Sequence, residues 1–292
     1  MSYPGHWANV CPDKPAVIMA GSGETVTHGE LDERSNRLAR YMWEAGLRRG
    51  DHIALLMENH PRYFEVYWAA IRSGLYITAV NRYLTPEEAA YIVGDCQAKL
   101  LISSAALAGT AGPMLELVGD CPLRLMTDGA CPGYESYEET VARFPAEPLA
   151  EQPRGETMLY SSGTTGRPKG VWRPLSGLTM DDPYPLPQLI GSMFSMDADT
   201  VYLSPAPLYH ASPLGFTVSV QSLGGTVVVM EKFDAAASLD AIERFRVTHS
   251  QWVPTMFSRM LKLPEEQRRG RDLSSHRVAI HAAAPCPPAV KR

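Results

Sequence analysis

One short string in the second half of the chain combines the residue types that bind polyphosphate. Residues 160–171 read YSSGTTGRPKGV and follow the apolar pair Met158 and Leu159. Glycines let the backbone approach a ligand closely, and hydroxyls with successive backbone N–H groups can surround an anion. Arg167 and Lys169 add positive charge, so the string has the parts of a phosphate cradle. The glycines are Gly163, Gly166 and Gly170, and the hydroxyl residues are Ser161, Ser162, Thr164 and Thr165.

The common nucleotide and hydrolase motifs do not fit this chain. Counting from Gly163, the second glycine of GxxxxGK[ST] falls on Pro168, and Lys169 is followed by Gly170. An ordinary kinase or GTPase loop is therefore excluded. The sequence contains no GxSxG or HExxH, and Gly21-Ser22-Gly23 lacks the third glycine of GxGxxG. A flexible Ser/Gly/Thr turn remains the alternative interpretation of residues 160–171.

The first half of the chain alternates short apolar runs with amphipathic segments. We predict strands over residues 52–57, 75–80 and 99–103, and helices that begin at Thr27, at Pro61 and, with Thr85 as the N-cap, at Pro86. Thr85 and Glu88 have the spacing of a capping box. The strands are apolar throughout, as expected when helices cover both faces of a sheet. This order predicts an α/β fold with layered, largely parallel sheets flanked by helices.

The second half continues the same alternation after an irregular connection. Residues 129–154 are rich in Pro, Gly and Glu, so we predict two lobes, residues 1–152 and residues 153–292. Residues 172–187 are Pro-rich and predict irregular structure. Predicted strands cover residues 157–160, 200–204, 226–230, 250–253 and 277–281, and a predicted helix covers residues 235–245.

Composition limits the possible partners and compartment. The 292 residues carry a net charge of −5 and are 45% hydrophobic, which is a globular composition. We expect no nucleic-acid partner, because a chain with a net negative charge has no overall electrostatic attraction to phosphate backbones. No apolar run approaches the roughly 20 residues of a membrane span. The five cysteines form no CxxC pair, and the N-terminus does not resemble a signal peptide, so a cytoplasmic location with free thiols is expected.

The string YSSGTTGRPKG resembles the phosphate-binding signature of the AMP-forming adenylating enzymes, which include acyl-CoA synthetases, firefly luciferase and peptide-synthetase adenylation domains. The resemblance extends along the chain. It implies the fold of the large N-terminal domain of acyl-CoA synthetases. The other similar segments are residues 27–55, 74–85, 205–213 (PAPLYHASP), 224–261 and 281–287 (HAAAPCP).

The resemblance also implies roles for individual residues. His210 would line the carboxylate pocket, and Ser161 would also help to hold Mg²⁺. Ala283, Ala284 and Pro285 would lie against the adenine ring. The residues that would hold the β- and γ-phosphates of ATP are Ser161, Ser162, Gly163, Thr164, Thr165, Gly166 and Lys169.

The implied reaction is acid–CoA ligation. A carboxylic acid and ATP would give an acyl-adenylate and pyrophosphate, and coenzyme A would then form the thioester. The 13 methionines and the aromatic residues could build a pocket for a fatty or other bulky apolar acid, as in fatty acid and lipid metabolism, although a core needs them too. His249 and Trp252 could face that pocket or belong to the core.

Two features depart from the family pattern. The chain ends just after the adenine segment, so the Tyr-Gly-x-Thr-Glu segment, the ribose-binding Asp and the C-terminal small domain with its Lys are absent. We therefore expect a truncated chain that is inactive or only binds nucleotide. An open sheet edge would favour a homo-oligomer. Trp172-Arg173-Pro174 stands where many members carry a Thr-His pair. The alternatives are a catalytically silent nucleotide-binding module and an adenylating enzyme that serves a carrier protein.

Overall fold

The computed structural model describes residues 3–161 and 167–291, and these residues form two compact units. The first unit comprises Glu30–Glu58 and Arg62–Pro183. The second unit comprises the described parts of Ser2–Gly29 and Tyr184–Arg292, together with Asn59–Pro61.

Short strands supply the framework of both units. In chain order they are β1 Pro15–Met19, β2 Thr25–Thr27, β3 His52–Leu56, β4 Tyr76–Ala79, β5 Ala98–Ser104, β6 Leu123–Thr127, β7 Glu135–Ser136, β8 Glu156–Thr157, β9 Leu159–Tyr160, β10 Gly170–Val171, β11 Val201–Ser204, β12 Thr226–Val229, β13 His249–Trp252 and β14 Val278–His281.

Helices connect most of these strands. In chain order they are α1 Pro4–Val10, α2 His28–Glu44, α3 Arg62–Arg72, α4 Pro86–Asp95, α5 Ala108–Met114, α6 Tyr137–Val141, α7 Pro185–Phe194, α8 Ala211–Ser222, α9 Ala235–Arg244, α10 Pro254–Leu261, α11 Glu265–Arg268 and α12 Pro288–Lys291, with a 3₁₀ turn at Ala105–Leu107. In this described part of the chain, no helix has both the length and the apolar character needed to cross a membrane.

The first unit contains a parallel sheet with the strand order β7-β6-β5-β3-β4-β8. Its central strands are buried along almost their whole length, as the continuous apolar runs predict. Helices α3 and α4 connect β3 to β4 and β4 to β5, which is the crossover that parallel pairing requires. A separate antiparallel hairpin joins β9 to β10.

The second unit contains a sheet with the strand order β14-β13-β11-β12-β1-β2. All neighbours in it are parallel except β1 and β2, which form an antiparallel pair. Strand β1 lies beside β12, with Val17 opposite Val227. Leu203, Val228 and Trp252 belong to the core on this sheet.

The predicted α/β class with largely parallel sheets is confirmed, whereas several elements were not predicted. Helix α7 begins at Pro185, where irregular structure was expected, because a proline suits the first position of a helix. Helix α8 is buried along most of its length and lacks the polar face that marks a surface helix. Residues 129–154, expected to be irregular, contain β7 and α6.

The predicted lobes at residues 1–152 and 153–292 stay a prediction, and the compact units divide the chain differently. Strand β8 pairs with β4, which keeps the chain up to Pro183 in the first unit. Strand β1 pairs with β12, which places the N-terminal residues in the second unit.

Candidate functional site

The β9–β10 hairpin holds the two ends of the glycine-rich loop together. Tyr160 lies opposite Gly170, and the backbone N–H of Ser161 donates to the carbonyl of Lys169 at 3.0 Å. The Ser161 hydroxyl lies 3.5 Å from the same carbonyl. The predicted phosphate-binding residues between these ends lie outside the described residues, namely Ser162, Gly163, Thr164, Thr165 and Gly166.

Helix α4 supports this hairpin from within the same unit. The Tyr160 hydroxyl donates to Oδ2 of Asp95 at 2.5 Å, and the Tyr91 hydroxyl donates to the carbonyl of Pro168 at 3.3 Å. The Arg167 guanidinium carbon lies 5.0 Å from the centroid of the Tyr91 ring. The hydrogen bonds of Tyr160 and Tyr91 therefore tie both ends of the loop to α4.

The predicted capping box at the start of α4 is present. The backbone N–H of Thr85 donates to Oε2 of Glu88 at 2.9 Å, and the Glu88 N–H donates to the Thr85 hydroxyl at 3.3 Å. These bonds satisfy two N–H groups that would otherwise lack partners in the first turn. The cap thereby stabilises the helix that supports the loop.

The stem is closely packed around Gly170. A β-carbon at this position would collide with the end of the Met158 side chain and would lie 3.1 Å from Cζ of Tyr160. Burial, reinforced by the hydrogen bond to Asp95, raises the pKa of Tyr160 well above its ordinary value of 10.0. Tyr160 therefore remains a protonated donor to Asp95 at neutral pH.

The described ends of the loop suit a polyphosphate. Ser161, Arg167 and Lys169 are all exposed, so a hydroxyl and two cations are available at the mouth of the loop. Among the described residues, no group of three or more His, Cys, Asp or Glu side chains could hold a metal ion. Mg²⁺ at nucleotide sites binds mainly water and phosphate oxygens with one or two protein ligands. The assignment of Ser161 to Mg²⁺ remains a prediction.

His210 lies in the second unit, immediately before α8. It is the N-cap residue of this helix, but its imidazole does not cap the helix N–H groups. The ring is exposed and lies 4.2 Å from the Tyr209 ring, centroid to centroid. Partial desolvation by the surrounding protein lowers the pKa of His210 below 6.5, so the imidazole is neutral at neutral pH.

Asn59 was not predicted as a site residue, yet it holds the segment that leads to His210. The Asn59 amide donates to the carbonyls of Met230 at 2.8 Å and Ala206 at 3.1 Å. Its carbonyl oxygen accepts the Leu208 N–H at 2.9 Å. The only signal in the sequence was a short polar side chain two residues after the predicted strand at residues 52–57.

The predicted adenine segment follows β14 in the second unit. The Ala282 N–H donates to the carbonyl of Trp252 at 3.1 Å, which continues the pairing of β14 with β13. Ala283, Ala284 and Pro285 are exposed. Ala283 has a φ of 70°, a left-handed conformation that is uncommon for alanine and is often found at ligand sites.

His249 and Trp252 lie in the core of the second unit. The two ring nitrogens of His249 are within 2.9 Å of the Phe194 carbonyl and 2.8 Å of the Thr248 hydroxyl. Trp252 is 2% exposed and donates to the Ser250 hydroxyl at 2.6 Å. Of the two interpretations offered by the sequence, the structure places both residues in the core.

His210 and the predicted adenine segment lie at the same edge of the second sheet. His210 follows β11 and Ala283 follows β14, and these parallel strands are separated by β13 alone. Both groups therefore lie at the carboxyl edge of the second sheet, at strand positions roughly 10 Å apart. Ligands of parallel α/β sheets bind beyond this edge. The glycine-rich loop belongs to the first unit.

A parallel α/β fold with a Ser/Thr/Gly-Lys hairpin is typical of nucleotide-binding enzymes. The AMP-binding enzyme family matches residues 5–292, and the chain belongs to this family. The resemblance found in the sequence is thereby confirmed.

Its relatives are CoA ligases. A 4-coumarate–CoA ligase of Humulus lupulus is 29% identical over 281 residues, which are 94% of this chain and 50% of the relative. A feruloyl-CoA synthase of Amycolatopsis sp. is 30% identical over 308 residues, covering 98% of this chain and 54% of the relative. The chain thus spans about half the length of the curated relatives it matches.

Solved structures show the same fold. The N-terminal domain of FACL13 from Mycobacterium tuberculosis, solved with an inhibitor, superposes with a TM-score of 0.83 at 24% identity. The match covers 99% of this chain and 72% of that chain. The predicted likeness to the N-terminal domain of acyl-CoA synthetases is therefore confirmed at the level of the fold.

Proposed function

We propose that this chain is the nucleotide-binding part of an acid–CoA ligase that uses a fatty or other bulky apolar carboxylic acid. The carboxylate oxygen attacks the α-phosphorus of ATP, and the bond to pyrophosphate breaks. The thiol of coenzyme A then attacks the acyl carbon, AMP leaves, and the thiol proton passes to solvent. The β9–β10 hairpin, with the exposed Ser161 hydroxyl and the cations Arg167 and Lys169 beside it, is the observation that carries this proposal.

Each group at the site has a distinct task in this reaction. The loop N–H groups, its hydroxyls and Lys169 bind the β- and γ-phosphates and stabilise the charge of the departing pyrophosphate. Neutral His210 positions the acid without neutralising its carboxylate, which must stay nucleophilic. Ala283, Ala284 and Pro285 offer a flat apolar surface for adenine. Mg²⁺ bound with ATP supplies further charge neutralisation on the phosphate oxygens.

The names of the relatives support the substrate class. Some relatives are named for crotonobetaine and carnitine, which carry a quaternary ammonium charge, but others are named for 4-coumarate and ferulate, which are acids with a bulky apolar body. Fatty acids share this property, so both kinds belong in a substrate panel. Coenzyme A as the acceptor rests on the same relatives.

We propose a cytoplasmic location and self-association as secondary features. All five cysteines are free thiols, as expected in a reducing compartment. Strand β14 lies at one edge of the second sheet, and an open edge can pair with another chain. Light scattering at several protein concentrations tests the self-association.

The test is isotope exchange between pyrophosphate and ATP, measured on the 292-residue chain with Mg²⁺ and a panel of acids. The panel contains octanoate, palmitate, 4-coumarate and ferulate, and ATP binding is measured separately by calorimetry. We expect Lys169→Ala to weaken ATP binding by about tenfold, as loss of a charged phosphate contact predicts. Lys262→Ala, an exposed lysine of the second unit, is the matched control and should bind ATP normally.

The outcomes separate the candidate functions. Acid-dependent exchange supports a ligase, and the best acid names its substrate class. ATP binding without exchange for any acid supports a silent nucleotide-binding module instead. Adenylate formation that coenzyme A does not consume points to a carrier protein as the acceptor. Absence of ATP binding would overturn the proposal.

A further inference from the structure

Two buried amide side chains form hydrogen bonds to residues that flank His210 in the sequence. Asn59 is 7% exposed and Gln251 is 5% exposed. Asn59 bonds to Leu208, two residues before His210, and the Gln251 amide donates to the Ser212 hydroxyl, two residues after it. All of these residues belong to the second unit.

The position of Asn59 explains why the segment needs a clamp. Strands β11 and β12 pair in parallel up to Ser204 and Val229, and the last bond of the ladder runs from the Met230 N–H to the Ser204 carbonyl at 3.0 Å. Beyond it, β11 and β12 no longer supply partners for each other. The Asn59 side chain then provides them, since it bonds to the carbonyls of Ala206 and Met230 and to the N–H of Leu208.

Gln251 holds the backbone on the C-terminal side of His210. It lies on β13, which is adjacent to β11, and its bond to Ser212 holds the first turn of α8 against the sheet. Within this segment, the His210 N–H donates to the Pro207 carbonyl at 3.3 Å, and the His210 carbonyl accepts the Leu214 N–H at 3.2 Å. The backbone on both sides of His210 is therefore fixed, although its imidazole is exposed.

We infer that Asn59 and Gln251 are positioning residues that set the place of the exposed His210 in the proposed carboxylate site. The inference rests on the proposed function, since it assigns to these amides the geometry of the carboxylate site. Loss of the Asn59 amide leaves buried backbone groups without their partner, and loss of the Gln251 amide removes the partner of the half-buried Ser212 hydroxyl, so the segment then samples other conformations.

The experiment compares Asn59→Ala, Asn59→Asp and Gln251→Ala with Asn9→Ala. Asn9 is a matched control because its amide makes a single local bond to the Gly5 carbonyl at 2.9 Å in the same unit. Asn59→Asp keeps the size of the side chain but places a carboxylate against two carbonyl oxygens, so it tests the donors without creating a cavity. Circular dichroism confirms that each variant is folded.

Three readouts are measured on each folded variant. Hydrogen exchange at the Leu208 amide should be about tenfold faster in Asn59→Ala, because the oxygen that accepts its N–H is lost, and should change less in Asn59→Asp, which keeps an acceptor oxygen. NMR titration of the His210 imidazole should show its pKa rising toward 6.5 as the segment loosens. In the exchange assay, the apparent KM for the acid should rise about fivefold while that for ATP changes less than about twofold.

The readouts keep this inference separate from the proposed function. An active wild-type chain whose Asn59 and Gln251 variants retain the wild-type KM for the acid would overturn the positioning role and leave the ligase proposal intact. If the wild-type chain shows no exchange between pyrophosphate and ATP, the NMR titration of His210 tests the positioning role instead. A pKa that is the same in all variants overturns the inference, and a pKa that rises in the Asn59 and Gln251 variants but not in Asn9→Ala supports it.

Discussion

The hydroxyl of Tyr160 donates to Oδ2 of Asp95 at 2.5 Å, which ties the residue before the glycine-rich loop to the last residue of α4. A hydrogen bond to a carboxylate is stronger and more directional than one between neutral groups. The loop stem therefore takes its position from a helix with its own capping box. Affinity for phosphate should depend on this support as well as on the groups that touch the ligand.

Removal of the Tyr160 hydroxyl should weaken nucleotide binding. We expect Tyr160→Phe to lower the ATP affinity severalfold and the free energy of unfolding by about 1 kcal/mol, since the bond is partly exposed. Calorimetry and thermal unfolding measure the two effects. Tyr134→Phe is the control, because it removes a hydroxyl bonded to the Ala111 carbonyl in the same unit. Equal ATP affinity in both variants would contradict the support role.

An added methyl group at Gly170 should distort the stem. Gly170→Ala would press a β-carbon against the flexible end of Met158, which can move aside, and against the Tyr160 ring, so we expect the lower end of the cost of overpacking, about 1 kcal/mol. We expect a lower melting temperature and weaker ATP binding. Gly109→Ala is the control, because a β-carbon there meets no atom within 4 Å. If both variants melt and bind alike, the packing argument is wrong.

Loss of the α4 cap should destabilise the first unit. Thr85→Ala removes one half of the capping box and should lower the free energy of unfolding by about 1 kcal/mol. Because α4 carries Tyr91 and Asp95, we also expect faster hydrogen exchange at the Ser161 amide. Ser136→Ala removes the cap of α6, where Glu139 donates to the Ser136 hydroxyl, and should leave that exchange unchanged.

A buried histidine should make stability depend on pH. His28 is fully buried, and this burial with the nearby Lys14 lowers its pKa to about 4 from 6.5. The folded state therefore binds its proton less readily than the unfolded chain. Stability is complete above pH 6.5 and is lost as the pH falls toward 4, by about 3 kcal/mol in total.

Urea unfolding at pH 7, 6 and 5 measures this loss. In His28→Asn the decline should be shallower, although it persists in part because the pKa values of His52, His210, His249 and His276 are also lowered by burial. Identical slopes for the variant and the wild-type chain would rule out His28 as a main source of the pH dependence.

Local patterns predicted much of this fold. Continuous apolar strands such as β3 and β12 identified parallel sheets, and Thr85 with Glu88 identified the start of α4. The order of residues 160–171 marked the glycine-rich loop, but the β9–β10 hairpin that holds its ends was not predicted. In each case the residues that determine the local structure lie within a few positions of one another in the sequence.

Long-range partners account for what was missed. Asn59 bonds to atoms 147, 149 and 171 residues away, so its role could not be read from its neighbours. Strand β1 pairs with β12 for a similar reason. Helix α8 was missed because its outer surface is covered by protein and its sequence lacks a polar stripe.

The pairing of β1 with β12 also determines when β1 can fold during synthesis on the ribosome. Pro15 accepts a hydrogen bond from Thr226, which is 211 residues later in the chain. At usual translation rates this separation corresponds to roughly 10–40 s, during which β1 has no partner strand from its parallel side. The first unit, which ends at Pro183, can fold before β12 is synthesised. The apolar N-terminal strand is therefore the segment for which we expect chaperone binding during translation.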